Sequence, residues 1–151
     1  MRESPMVLTA SRIVRAILIS AMVLSLAACS FAESKDAAEQ SANVLYHTVA
    51  TGDMDAVMDL YSDRFYQETS REEWHRILHG VHDRLGDYQG HELVNWKIWT
   101  GVSTEVTGTP TTLVYNVQYS KHDATEQLVF LATNPPKLVG HHFNSKGLLL
   151  D

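Results

Sequence analysis

The hydrophobic period of this 151-residue chain changes at Gly90, and this change restricts the possible folds more than any other feature. Over residues 36–88, apolar residues recur every three or four positions, as on one face of an α-helix. Over residues 91–143, they alternate with polar residues, as in a β-strand with one buried face. A block of helices followed by a block of strands predicts an α+β fold.

Three helices are predicted in the first block. The first ends at Gly52, and its apolar stripe comprises Ala38, Ala42, Leu45 and Val49. The second, DMDAVMDLYSDRF, begins with Asp53 as its N-cap. The third begins at the capping box of Ser70 and Glu73 and ends at Gly86. Its predicted apolar face comprises Trp74, Ile77, Leu78, Val81 and Leu85.

Four strands are predicted in the second block, at residues 91–99, 111–120, 125–133 and 137–143. The first carries Val94, Trp96 and Ile98 on one face, and the second carries Leu113, Tyr115, Val117 and Tyr119 on one face. We therefore expect three helices packed on one side of a curved, four-stranded antiparallel sheet.

The N-terminal segment is typical of an exported protein. Arg2, Arg12 and Arg15 precede an uncharged apolar run, residues 16–32, which ends in small residues. A membrane-spanning anchor is the alternative interpretation, but this run is shorter than the roughly 20 mostly apolar residues of a typical span and contains three serines. The segment therefore predicts a cleaved signal peptide.

The only cysteine, Cys29, directly follows Leu26-Ala27-Ala28, and these four residues resemble the lipobox of bacterial lipoproteins. The resemblance implies cleavage between Ala28 and Cys29, acylation of the Cys29 thiol, and anchoring of the chain to a membrane. Two or more acyl chains hold a protein firmly on a bilayer. The expected organisation is a signal peptide at 1–28, a lipidated cysteine and tether at 29–35, and a folded domain at 36–151. Ordinary signal cleavage beside a chance cysteine is the alternative.

In many lipoproteins of Gram-negative bacteria, the residue after the cysteine is a sorting signal, and Asp at this position favours retention in the inner membrane. Ser30 instead implies an outer-membrane anchor that faces the periplasm, or the outer face of the cell membrane in a Gram-positive host.

The net charge of −6, without a cluster of basic residues, argues against nucleic acid as a partner. Because Cys29 is the only cysteine, the domain must fold without a disulfide bond.

The helical block is also similar to NTF2-like (cystatin-like cone) domains, in the stretches VATGDMDAVMDLYSDRF and SREEWHRILHGVHDRLGDYQG. The second stretch resembles the small exported families of unknown function DUF4019 and DUF3887. The resemblance implies a cone-shaped sheet wrapped round the helices, with room for a pocket at the wide end. It implies no activity, because this fold includes enzymes, ligand carriers and scaffolds.

Catalysis is not expected, although NTF2-like isomerases and dehydratases place an Asp or His, often with a Tyr, inside the cone. The acids Glu92 and Glu126 stand near the starts of strands and Asp123 in a turn, so no buried acid is predicted. The weak catalytic candidates are His91, Tyr115 and Tyr119, followed by His141 and His142, and all five can equally be ordinary residues of the sheet. The alternative to a non-catalytic module is a small cone-fold enzyme acting on an apolar ligand.

No cofactor or metal is predicted. His75, His79 and His82 share one stripe of the third helix, and two histidines four residues apart can chelate Zn²⁺, but no third ligand is evident. Histidines at the boundary of a buried face more often hydrogen-bond or meet solvent.

The aromatic residues of the sheet are candidates to line a ligand pocket, but they more often fill the core of a domain of this size. They are Trp96, Trp99, Tyr115, Tyr119, Phe130 and Phe143. The prediction is a lipid-anchored, non-catalytic module of the cell envelope that binds a small apolar ligand or an envelope protein. Pairing of two copies through the sheet is a further expectation.

Overall fold

The computed structural model describes residues 32–99 and 110–149, with helices before strands, so the predicted α+β class is confirmed. Helix α1 covers residues 32–51, and it is followed by α2 (Met54–Met58), α3 (Phe65–Glu68), α4 (Arg71–Leu85), β1 (Tyr88–Ile98), β2 (Thr111–Tyr119), β3 (Ala124–Leu131), β4 (Lys137–Asn144) and a 3₁₀ helix (Lys146–Leu148). Among these described helices, none has both the length and the hydropathy needed to cross a membrane.

Helix α1 buries the stripe that its spacing predicts. Ala38, Ala42 and Leu45 are buried and Val49 is half-buried against the core. Tyr46, beside Leu45, is buried as well. The helix ends before Gly52, whose positive φ of 76° suits a residue without a side chain. Residues 32–35, which were expected to belong to the tether, are already helical.

The predicted second helix is two short helices separated by a link to the sheet. Asp53 caps α2, since its side-chain carboxylate accepts a hydrogen bond from the backbone N–H of Ala56. The chain then pairs with β4, where the N–H of Ser62 donates to the carbonyl of Leu138 and the N–H of Leu138 donates to the carbonyl of Leu60. These backbone groups are committed to the sheet, so one continuous helix cannot form.

Helix α4 begins as predicted, with the Ser70 hydroxyl accepting a hydrogen bond from the N–H of Glu73. Its buried residues are Trp74, Leu78, Val81 and Leu85. Ile77, which was expected on the same face, is 40% exposed. Gly86 ends the helix with φ of 88°, and a Cβ atom there would lie 2.2 Å from the Ser120 hydroxyl oxygen. Glycine is therefore required at this position.

The four strands form one antiparallel sheet in the order β1-β2-β3-β4. Period-2 alternation makes one face of β2 and β3 buried throughout. This inner face and the helices α1, α2 and α4 contribute to a single hydrophobic cluster. The described core therefore lies on one side of the sheet.

Strand β1 departs from the predicted pattern. Its pairing with β2 is irregular between Leu93 and Asn95, where one extra residue is inserted. Val94 and Trp96, which were expected on a buried face, are 48% and 45% exposed. The bulge explains the exposure of Val94, which is the inserted residue, whereas Trp96 pairs with the buried Leu113 and stays exposed in a strand at the edge of the sheet.

Candidate functional site

A carboxyl group lies at the centre of the core. Glu126 is 1% exposed, because the alternation of β3 turns it to the same inner face as Ala124, Leu128 and Phe130. The expectation that no acid is buried among apolar neighbours is therefore wrong. A buried carboxylate is costly unless it is hydrogen-bonded, so its partners determine what this site can do.

Three neighbouring side chains satisfy Glu126. The hydroxyl of Tyr119 on β2 donates to its Oε1 atom at 2.5 Å, and the hydroxyl of Tyr46 on α1 donates to Oε2 at 3.3 Å. The Nε2 atom of His141 on β4 lies 2.9 Å from Oε2. Each partner comes from a different element, so the carboxyl group connects the helical layer to three strands.

The hydrogen bonds assign a tautomer to His141. Nε2 faces a carboxyl oxygen and Nδ1 faces a phenol hydroxyl, and the tautomer with its proton on Nε2 satisfies both contacts. The hydroxyl of Tyr61 lies 2.7 Å from Nδ1 and donates to it. The result is a continuous chain of hydrogen bonds from Tyr61 through His141 to Glu126.

The tyrosines of this cluster act as donors. Burial, reinforced by the negative charge of Glu126, raises the pKa values of Tyr46 and Tyr119. Burial also raises the pKa of Tyr61. All three hydroxyls therefore keep their protons, and none can serve as a base.

The interior leaves almost no free space beside these groups. A cavity of about 10 Å³ lies between Tyr46, Tyr61, Tyr119, Glu126 and His141. One water molecule needs roughly this volume, and any organic substrate needs far more. Within the described residues, the indole Nε1–H of Trp74 is the buried side-chain donor that has no hydrogen-bond partner.

The three weak catalytic candidates lie close together, but each has a structural role. His91 stacks on Tyr46 with ring centres 4.2 Å apart, and Tyr115 meets Tyr46 edge-on at 5.4 Å. The Nδ1 atom of His91 lies 2.5 Å from the Tyr88 hydroxyl, and burial lowers the pKa of His91. Tyr119, the third candidate, holds Glu126.

The predicted pocket residues divide between core and surface. Tyr115, Tyr119 and Phe130 are buried, and Phe143 stacks on His141 with ring centres 4.1 Å apart. Trp96 and Trp99 are about half exposed, and the Lys97 ammonium lies 4.5 Å from the Trp99 ring centre. The sheet aromatics therefore do not line one common interior pocket.

A groove of about 300 Å³ opens at the surface between α1 and the turn that joins β3 to β4. Its lining is mainly apolar, and Phe130 contributes to it. The lining residues are Ala37, Gln40, Ser41, Val44, Leu60, Phe130, Asn134, Pro135, Pro136 and Lys137. This groove therefore offers space for a ligand at the surface.

The three helical histidines separate into two environments. His82 turns inward, meets the Tyr119 ring edge-on at 6.0 Å and lines the small cavity. His75 and His79 contact one another, with ring centres 4.6 Å apart. No group of three or more metal-ligating side chains occurs in the described part of the chain.

Ala28 and Cys29, the predicted cleavage and lipidation site, lie outside the described residues.

Comparison with known proteins gives this chain no family: no family model, no curated protein and no solved structure matches it. Its function must therefore be argued from its own residues.

Proposed function

We propose that the chain is a lipid-anchored lipoprotein of the bacterial cell envelope, and that its folded domain is a non-catalytic binding or interaction module. The anchor is supported by the basic segment, the apolar run and the lipobox-like residues that end at Cys29. Ser30 favours an outer-membrane anchor facing the periplasm, or the outer face of the cell membrane in a Gram-positive host.

The observation that carries the non-catalytic role is the closed interior. We infer an NTF2-like cone from the order of helices before an antiparallel meander and from the packing of the helices on one face. An enzyme of this shape would hold its substrate inside the cone, where the cavity that the described residues leave beside Glu126 measures about 10 Å³. A ligand or an envelope protein must then bind at the surface.

The anchor is tested by the change Cys29→Ala in the native host. We expect the variant to incorporate no labelled palmitate and to leave the membrane fraction, while Ser30→Ala keeps both properties. Labelling of Cys29→Ala at the wild-type level would show that the lipid is attached elsewhere.

The proposed sorting to the outer membrane is tested separately by Ser30→Asp in a Gram-negative host. We expect this variant to move from the outer to the inner membrane while its labelling is unchanged. Equal outer-membrane amounts of Ser30→Asp and wild type would contradict the proposed sorting.

A second candidate function, a cone-fold enzyme of isomerase or dehydratase type, is favoured by one observation. Glu126 and His141 place a buried acid and a buried imidazole beside Tyr119. Such groups can transfer protons if the core opens to admit an apolar substrate. Crystals under xenon pressure distinguish the two functions, because a closed core admits no gas beside Glu126 and an opening core does.

Pairing of two copies through the sheet is a further part of the proposal. The outer face of β2 and β3 alternates with the buried face and remains partly exposed, at Thr112, Val114, Gln127 and Val129. Sedimentation of the detergent-solubilised chain tests this pairing, and Val114→Glu should shift a dimer to the monomer. A wild type that sediments as a monomer at all concentrations would contradict it.

A further inference from the structure

His75 and His79 lie one turn apart on α4, and neither side chain is part of the buried face of that helix. Their rings meet at 4.6 Å between centres, with an angle of 62° between the ring planes. Within the described residues, neither imidazole makes a hydrogen bond or an ion pair. Their ring nitrogens are therefore available to a ligand from solution.

We propose that His75 and His79 form a binding site for a divalent transition-metal ion that prefers nitrogen ligands, namely Zn²⁺, Ni²⁺ or Cu²⁺. Two imidazoles that share one ion, with metal–nitrogen bonds of about 2.0–2.1 Å, place their ring centres roughly 4.5 Å apart at a right angle and roughly 5.2 Å apart in a tetrahedral site. The observed separation of 4.6 Å falls within that interval. The two rings therefore lie at a separation that a chelate allows, and rotation of the side chains can turn one nitrogen of each ring towards a shared ion.

The helix holds this pair in place. Ser70 caps α4 at its start, and Trp74 and Leu78, which alternate with the two histidines, are buried in the core. The backbone positions of His75 and His79 are therefore fixed, and only side-chain rotation remains to be restricted on binding. A ligand pair arranged in advance binds an ion at a lower entropic cost.

The surrounding charge also favours a cation. Glu72 stands three residues before His75, and Asp83 stands four residues after His79, so both acids lie on the same stripe of the helix. Arg76 lies beside this stripe and opposes them. All three side chains are exposed, so their influence is screened by salt.

The site is open rather than closed. His82 cannot complete it, because that side chain turns inward to Tyr119. Two protein ligands leave the remaining coordination positions to water or to another molecule, so the ion exchanges instead of serving as a permanent part of the fold. Imidazole ligands favour Zn²⁺, Ni²⁺ and Cu²⁺ over Mg²⁺ and Ca²⁺.

The test titrates the full acylated chain, extracted in detergent and free of any purification tag, with Zn²⁺ against a chromophoric chelator. We expect one ion per chain, and we expect His75→Gln and His79→Gln each to weaken binding about 100-fold, because the second imidazole acts at a high effective concentration. The matched control is His47→Gln, an exposed histidine of α1, which should bind zinc as wild type does.

A rescue variant separates chelation from a general effect of charge. In the His75→Gln background, Asp83→His places a second imidazole four residues after His79 and should restore zinc binding. The Cu²⁺ paramagnetic resonance spectrum should show two nitrogen ligands in wild type and in the rescue variant. The proposal is overturned if wild type binds none of the three ions, if His47→Gln loses as much affinity as His79→Gln, or if the rescue variant fails while it remains folded.

Discussion

The chain carries histidine in two contrasting settings. In the core, both nitrogens of His141 have partners, Glu126 on one side and Tyr61 on the other. On α4, His75 and His79 contact each other and no described hydrogen-bonding group. The contrast teaches that a fully satisfied imidazole holds the fold together, while an unsatisfied and accessible one can bind something else.

The largest expected effect comes from the buried carboxyl group. Glu126→Ala leaves Tyr46, Tyr119 and His141 without their acceptor inside the core, so we expect the free energy of unfolding to fall by about 3–5 kcal/mol. Urea denaturation measures it, and Glu92→Ala, at an exposed position of β1, is the control. A loss below about 1 kcal/mol would show that the cluster is not structural.

A smaller effect is expected from a single hydroxyl of the same cluster. Tyr119→Phe removes the donor to Glu126 Oε1, and we expect a loss of about 2 kcal/mol in unfolding free energy. Tyr115→Phe is the matched control, because Tyr115 is equally buried but donates to no described residue. Equal losses in the two variants would assign the effect to packing instead of hydrogen bonding.

His82, inward-facing like His141, should make stability depend on pH. Burial lowers its pKa from the ordinary 6.5, Glu126 opposes this effect, and His79 adds to it. The folded protein disfavours protonated His82. The stability that neutral His82 contributes to the free energy of unfolding is therefore complete above pH 6.5 and is lost as the pH falls through the lowered pKa. The melting temperature of wild type should therefore drop below pH 6.5 more than that of His82→Gln, with His47→Gln behaving as wild type.

The smallest effect is expected at the exposed pair. His75→Gln and His79→Gln should each change the free energy of unfolding by less than about 0.5 kcal/mol in the absence of metal. Urea denaturation in the presence of a chelator measures this change. A loss comparable to that of Tyr119→Phe would mean that the pair belongs to the fold, and the contrast with His141 would disappear.

Local patterns predict the elements of this fold well. The alternation of Leu113, Tyr115 and Val117 identifies β2, and Ser70 marks the start of α4, because both signals depend on neighbouring residues only. The break after α2 is missed because Leu60 and Ser62 pair with Leu138, far along the chain. A long-range backbone contact of this kind leaves no periodic trace.

The buried polar cluster is harder to predict for the same reason. Tyr46 and Glu126 are separated by 80 residues, as are Tyr61 and His141, so no local spacing connects them. One signal was present in the sequence: Glu126 has the same parity as Leu128 and Phe130 in β3. The position of Glu126 near the start of β3 suggested an exposed side chain. Its alternation with the apolar residues of that strand instead indicates the buried face.

The pairing of residues 60–62 with β4 limits how a strand of another molecule can add to the sheet. One border of the sheet is occupied by Tyr61 against Leu138, so no foreign strand can add along that stretch. The opposite border is β1, whose two irregularities and exposed Lys97 make it a poor template for another chain. Two copies of the domain that meet at high concentration should therefore not join edge to edge into fibrils through these borders.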